Sequence, residues 1–351
     1  MQTERATEPA PTTTARIPSL DGWRGLAIGF VLISHLSGSL GYGRETAVLI
    51  GPIGQLGVRI FFIITGFLVT HLLLREMDKT GRIDLLKFWT RRAFRLLPAV
   101  LLFLGAVYLA AALGKIPLRW PHDYVFPLTF TMNYYPGRAW YWVHLWSLSA
   151  QIQFYLVWPL LMLTVGRTRV LHLGLAVIAV IPIVRLLTYN FLPISYTQGH
   201  SLETILDIFA TGSLLAVLRQ PLGESEGYQR LIRSSAMVGV VLLTLGLQVL
   251  FNYAKPRLVL GPLMNLTLAI LIDRSTRIPG DWFGRLLASR PLLLLGTISY
   301  SLYVWQQPFI NVGTPVPFPL SLLLALTAGA TVYYFVERPF TYFGRQVRAS
   351  S

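Results

Sequence analysis

Long apolar runs, separated by short polar or Gly- and Pro-rich pieces, set the pattern of this chain. They fall at about 24–40, 56–74, 96–113, 147–165, 170–188, 203–219, 235–252, 257–273, 291–310 and 319–336. Most approach the ~20 residues that a helix needs to cross the hydrocarbon of a bilayer. The pattern predicts an all-α, polytopic membrane protein with about ten transmembrane helices in one bundle. Residues 1–18, rich in Thr, Pro and Ala, read as a disordered tail, 19–340 as the membrane unit, and 341–351 as a basic tail. The apolar run begins too late for a signal peptide, and no small-residue cleavage site follows it. Gly41, Gly43, Gly51 and Pro52 break the chain between the first two runs, and a short polar turn near Lys255–Pro256 parts the seventh from the eighth. The piece 123–134 is too short to span and reads as a re-entrant or interfacial segment. Residues 75–95 form the most basic loop.

Polar residues inside the first run change the picture. Arg24 and His35 are eleven positions apart. At ~100° per residue this is three turns plus about 20°, so both lie on one helix face. His35 then sits about 16 Å further along the axis than Arg24, roughly half the hydrocarbon thickness. An ionisable group at that depth is costly and faces a protein interior or a wet cavity. The alternative is a core histidine satisfied by a neighbouring helix.

Composition narrows the chemistry. Only 13% of the 351 residues are charged, against roughly 25% in soluble proteins. There is no cysteine, so no disulfide or thiolate nucleophile forms. The six histidines are scattered without an HExxH spacing, and no metal site is expected. The net charge of +15 would suit nucleic acid, but no aromatic-basic motif accompanies it. Most of the 30 Lys and Arg fall on one side if both termini are cytoplasmic, as the positive-inside rule requires. No Walker loop or GxGxxG is present.

Several clusters remain as candidate chemistry. Arg92 and Arg95 share a helix face at i, i+3, where the third run begins, and guanidinium forks suit phosphate oxygens. Plain membrane anchoring is the other reading of these charges. Ser147, Ser149, Gln151 and Gln153 gather at the start of the fourth run, either lining a cavity or tying helices together. Tyr134, Tyr135, Trp140, Tyr141, Trp142 and Trp146 form an aromatic belt just before it. Glu203 and Asp207, at i, i+4, form either an acid/base pair or a favourable helix start. The ninth run carries Ser299, Tyr300, Tyr303, Gln306 and Gln307, a polar stripe expected to face inward.

Six stretches together resemble membrane acyltransferase family 3, the bacterial integral-membrane O-acyltransferases, in their standalone form. They are LDGWRGLAIGFVLISH, GQLGVRIFFIITGFLV, FWTRRAFRLLPA, LWSLSAQIQFYLVWPLL, GTISYSLYVWQQP and YYFVERPF. The resemblance covers about 19–340 and implies ten core helices. It implies that His35 is the catalytic base, and that Arg92 and Arg95 hold acyl-CoA arriving from the cytoplasm. Two departures stand out. Many relatives carry two glutamates where this chain has Gln151 and Ile152, and many have Trp-His-x-Pro where it has Trp305, Gln306, Gln307 and Pro308. A glutamine orients a partner but takes no proton, so Asp207 is the first candidate to assist His35.

The resulting expectation is O-acyl transfer from acyl-CoA to a hydroxyl of a sugar, a glycosylated natural product or an envelope glycan. His35 and Asp207 would be catalytic. Arg24, Arg92 and Arg95 would hold the cosubstrate, and Trp146, Ser147, Gln151, Tyr155 and Tyr300 would contact substrate. No bound cofactor or nucleic-acid partner is expected, and the protein would sit in a bacterial cytoplasmic membrane. The alternative is an impaired relative that binds or transports an acylated or glycosylated lipid.

Overall fold

The computed structural model describes residues 17–39, 44–135, 137–192, 199–250, 254–310 and 316–346. Most of the two predicted tails and Gly41 and Gly43 lie outside them. Every regular element among the described residues is helical, which bears out the all-α expectation. In chain order the helices are α1 (Pro18–Ser39), α2 (Arg44–Thr80), α3 (Leu85–Ala112), α4 (His122–Leu128), α5 (Trp140–Val143), α6 (Leu145–Val165), α7 (Val170–Phe191), α8 (Leu202–Glu224), α9 (Glu226–Arg233), α10 (Ala236–Leu250), α11 (Ala254–Arg277), α12 (Trp282–Leu287), α13 (Arg290–Trp305), α14 (Leu320–Val332) and α15 (Arg338–Gln346), the last two joined by a π-helical turn, Tyr333–Glu337.

Among the described residues, five continuous helical stretches are long and apolar enough to cross a membrane: Ile50–Thr80, Leu85–Ala112, Trp140–Val165, Arg167–Phe191 and Leu320–Gln346. A sixth is reached if α9 and the start of α10, bent by 72°, count as one span. The chain is a multi-pass membrane protein, but fewer helices meet this standard than the ten expected. The shortfall has physical reasons. Helix α13 has only 16 residues, and α8 carries Glu203, Asp207, Arg219 and Glu224.

Charge marks where a helix leaves the membrane, not where it ends. The expected basic loop 75–95 is almost wholly helical, because α2 runs on through Glu76, Met77 and Lys79, all good helix formers. Only 81–84 separates α2 from α3. Asp84 caps α3 by accepting from the Lys87 amide at 2.9 Å, and that amide holds its carboxyl below the usual carboxylate range. Arg91 pairs with Glu76 across the turn at 3.7 Å. The outer break was also misplaced, since Gly51 and Pro52 lie inside α2. Ser34 of α1 donates to the Gly51 carbonyl at 3.1 Å, and Gln248 of α10 to the Pro52 carbonyl at 2.7 Å, which ties two neighbouring helices to α2 at this point. Lys255 and Pro256 likewise fall within α11 rather than in a turn.

The segment 122–134 does not span. It folds as α4 and a single 3-10 turn, Met132–Tyr134. Gln153 donates to the Phe130 carbonyl at 2.8 Å and exchanges amide bonds with Asn133, while Ser149 accepts from the Met132 amide at 3.3 Å. These two residues of α6 are therefore interhelical glue.

Helices α2 and α8 cross at backbone contact. A Cβ on Gly66 would strike the carbonyl of Phe209, and one on Gly212 that of Ile63. In lipid, where apolar burial does not drive association, such small-residue contacts hold helices together. Gly66→Leu should destabilise the purified protein by about 1–3 kcal/mol or more, because neither backbone can yield. Gly29→Ala, where added carbon meets nothing, should leave the thermal midpoint level or slightly raised. Equal midpoints for the two variants would refute this account of the crossing.

Candidate functional site

Helix α6 projects two stripes. Ser149 and Gln153 face the segment 130–133, whereas Ser147, Gln151 and Tyr155, each one turn apart, line a cavity. Arg24 of α1, Thr65 of α2, Arg92 and Arg95 of α3 and Tyr300 and Tyr303 of α13 complete its polar wall, and Val58, Phe61, Phe62, Leu68 and Leu96 its apolar side. Arg24, far in sequence from Arg92 and Arg95, thus meets them at one cavity with four of the five expected substrate contacts. The fifth, Trp146, packs edge-on against Phe62, 6.0 Å between ring centroids, and lies against His200 at 4.1 Å.

Each arginine is oriented by its neighbours. Arg24 donates to Asp21 at 3.1 Å. Arg92 lies over the Tyr155 ring at 5.1 Å and the Phe88 ring at 5.3 Å. Tyr155 in turn receives the Gln151 amide at 2.6 Å, and the same amide reaches the Thr65 hydroxyl at 3.1 Å. Tyr300 spends its hydroxyl on the Leu96 carbonyl at 2.6 Å, so it presents its ring to the cavity. In the π-helical turn, the Glu337 side chain is buried and accepts from Ser301 at 2.6 Å.

His35 does not line this cavity. It is partly exposed near the far end of α1, packs edge-on against Trp140 with 5.6 Å between rings, and shares a 3.0 Å hydrogen bond with Gln306. Tyr303, which lines the cavity, packs against His144. Tyr303 donates to the His144 carbonyl at 2.9 Å, its oxygen lies 2.6 Å from Ser147, and its ring is 5.7 Å from that of His144. The His144 ring, buried, donates from Nε2 to the Val304 carbonyl at 3.0 Å, two residues before Gln306.

Asp207 is engaged elsewhere. Fully buried, it accepts from Arg185 at 2.6 Å and from Asn265 at 3.3 Å, and Asn265 in turn accepts from Arg59. Glu203 accepts from Tyr134 at 2.9 Å. The two carboxylates therefore take separate partners, and the hydrogen-bond partner found for His35 is Gln306. Arg59, Arg185, Asn265 and His144 were missed from the sequence. Arg59, a lone charge inside GVRIFF, was the signal available.

Among the described residues, no three His, Cys, Asp or Glu side chains gather where they could hold a metal ion. The geometry offers a cavity lined by three arginines and, outside that lining, a partly exposed imidazole.

A family model described as an acyltransferase domain, of acyltransferase family 3, matches residues 17–336. The O-acetyltransferase OatA of Staphylococcus aureus strain NCTC 8325 is 28% identical over 363 residues, covering 92% of this chain and 57% of that protein. A putative O-acetyltransferase of strain COL is 28% identical over 369 residues with the same coverage. The chain thus spans just over half the length of these relatives. No solved structure matches it.

Proposed function

The chain belongs to acyltransferase family 3, and from that premise we propose that it moves an acyl group from acyl-CoA to a hydroxyl of a sugar or glycosylated compound at a bacterial cytoplasmic membrane. The observation that carries this reading is the meeting of Arg24, Arg92 and Arg95 at one cavity. Three guanidiniums beside an apolar wall suit a ligand with phosphates at one end and a thioester on a flexible arm at the other. Both relatives are named as O-acetyltransferases, which favours acetyl as the group moved. The bias of Lys and Arg among the apolar segments, read by the positive-inside rule, supports cytoplasmic termini with the arginine end of the cavity on the same side.

The chemistry in this reading needs no resident cofactor. The donor phosphates rest on the arginines and the arm runs past Gln151 and Tyr155. The acyl end reaches the imidazole when the Tyr303–Ser147 pair opens. Neutral His35 takes the acceptor O–H proton as the oxygen bonds to the carbonyl carbon. The carbon–sulfur bond breaks, and the CoA thiolate leaves with the proton from the imidazolium. With no cysteine in the chain, a thiol-bound acyl intermediate is excluded. Asp207, bonded to Arg185, enters as a structural charge rather than as the partner of His35.

The test is CoA release by the full-length protein in lipid nanodiscs, given acetyl-CoA and a panel of sugar acceptors. Acceptor-dependent release is expected. Thioester left intact with every acceptor would overturn the reading and favour binding or transport instead. In the same assay, Arg92→Ala with Arg95→Ala should raise the donor KM by about 100-fold or more, since two charged hydrogen bonds are lost and each is worth about 1.5–3 kcal/mol. Turnover at saturating donor should hold, because these groups touch phosphate and not the reacting carbon. An unchanged KM would remove the phosphates from this wall.

A further inference from the structure

The bonds behind His35 form a chain with a fixed end. Gln307 Nε2 donates to the backbone carbonyl of Trp140 at 2.8 Å, Gln306 Nε2 donates to Gln307 Oε1 at 3.0 Å, and Gln306 Oε1 lies 3.0 Å from His35 Nδ1. Both glutamine residues are fully buried, so water does not substitute for either partner. A carbonyl only accepts. Gln307 must therefore turn its NH2 towards Trp140 and its oxygen towards Gln306. Gln306 must then meet that oxygen with its own NH2, leaving its oxygen for His35. An oxygen facing Nδ1 requires the proton on Nδ1. The direction of every amide follows from the one group in the chain that has no choice.

We infer that Gln306 and Gln307 are positioning residues which hold the proton of neutral His35 on Nδ1 and leave Nε2 as the bare nitrogen that receives the acceptor proton. This deepens the proposed function and rests on it for its kinetic half. The relay supplies orientation without charge. When Nε2 gains the acceptor proton, Nδ1 keeps its own, and the positive ring is relieved only by passing the Nε2 proton to the departing thiolate. Trp140 serves the site twice, packing on the imidazole with its ring and anchoring the relay with its backbone. A side-chain substitution there leaves the anchor in place.

Nitrogen NMR on full-length, [15N]histidine-labelled protein in nanodiscs reads the tautomer directly. His35 is assigned as the signal lost in His35→Ala. At alkaline pH, where imidazole is neutral, the expected spectrum shows a protonated Nδ1 and a bare Nε2. Gln306→Leu should abolish that preference and lower kcat about 100-fold, the scale of a mispositioned general base, with donor KM within about twofold. Gln306→Glu, which still accepts from Nδ1, should restore the tautomer and recover most of kcat. A wild-type ring protonated on Nε2 would overturn the inference, as would a Gln306→Leu variant that keeps both tautomer and kcat. The wild-type spectrum decides the tautomer even if a variant fails to fold. Absence of CoA release in the wild type would sink the proposed function while leaving the spectrum to decide the relay.

Discussion

His35→Ala is expected to lower the turnover of acyl transfer by about 10²–10⁴-fold, the usual contribution of a positioned general base. Donor KM should change little, because the imidazole does not line the cavity that collects Arg24, Arg92 and Arg95. The protein should still fold. Removing the ring leaves the Gln306 oxygen without its partner, a loss of about 1–3 kcal/mol, and it opens space at a position that is already partly exposed. CoA release at saturating donor and acceptor, beside a thermal unfolding curve, separates the two quantities. Wild-type turnover in the alanine variant would remove His35 from the chemistry, and a collapsed unfolding midpoint would make it a core residue after all.

Asp207→Ala is expected to act through stability instead. Its carboxylate is fully buried, 2.6 Å from Arg185 and bonded to Asn265, which also holds Arg59. Two guanidiniums and one carboxylate leave this cluster with a net positive charge, so its only acid carries the compensation. Removing one member of a buried ion pair costs about 3–5 kcal/mol, because the remaining charge stays desolvated. Asp207→Asn keeps the shape and the Asn265 contact, and should lose less. A large fall in unfolding midpoint, with the surviving folded protein still turning over, is the expected pattern. Loss of turnover at an unchanged midpoint would instead restore Asp207 as an assistant to His35.

These two residues show what the sequence makes legible. Helical spacing alone puts Arg24 and His35 on one face, and Ser147, Gln151 and Tyr155 on another. The structure splits the cluster of Ser147, Ser149, Gln151 and Gln153, with Ser147 and Gln151 lining the cavity, and it separates Arg24, which lines the cavity, from His35, which does not. Contacts within one helix are legible because periodicity fixes them. Contacts between helices are not. Gln306 is 271 positions from the histidine it holds, and Arg185 reaches Asp207 from the preceding helix. No local pattern says which polar side chain will meet which other. Asp207 looked available because a carboxylate near a helix start is conspicuous, whereas its arginines are scattered over separate apolar runs. Helix ends were misread for a similar reason. Polarity at Arg75 to Lys79 signals the edge of the hydrocarbon, while the backbone hydrogen-bond ladder continues to Thr80.

The short turn between α2 and α3 has a kinetic consequence. Two helices, pinned by Asp84 and by the Arg91–Glu76 pair, stand where a basic loop was expected. For the acyl-CoA donor proposed above, capture is then a matter of diffusion into a fixed positive field. Such capture slows as salt shortens the reach of that field.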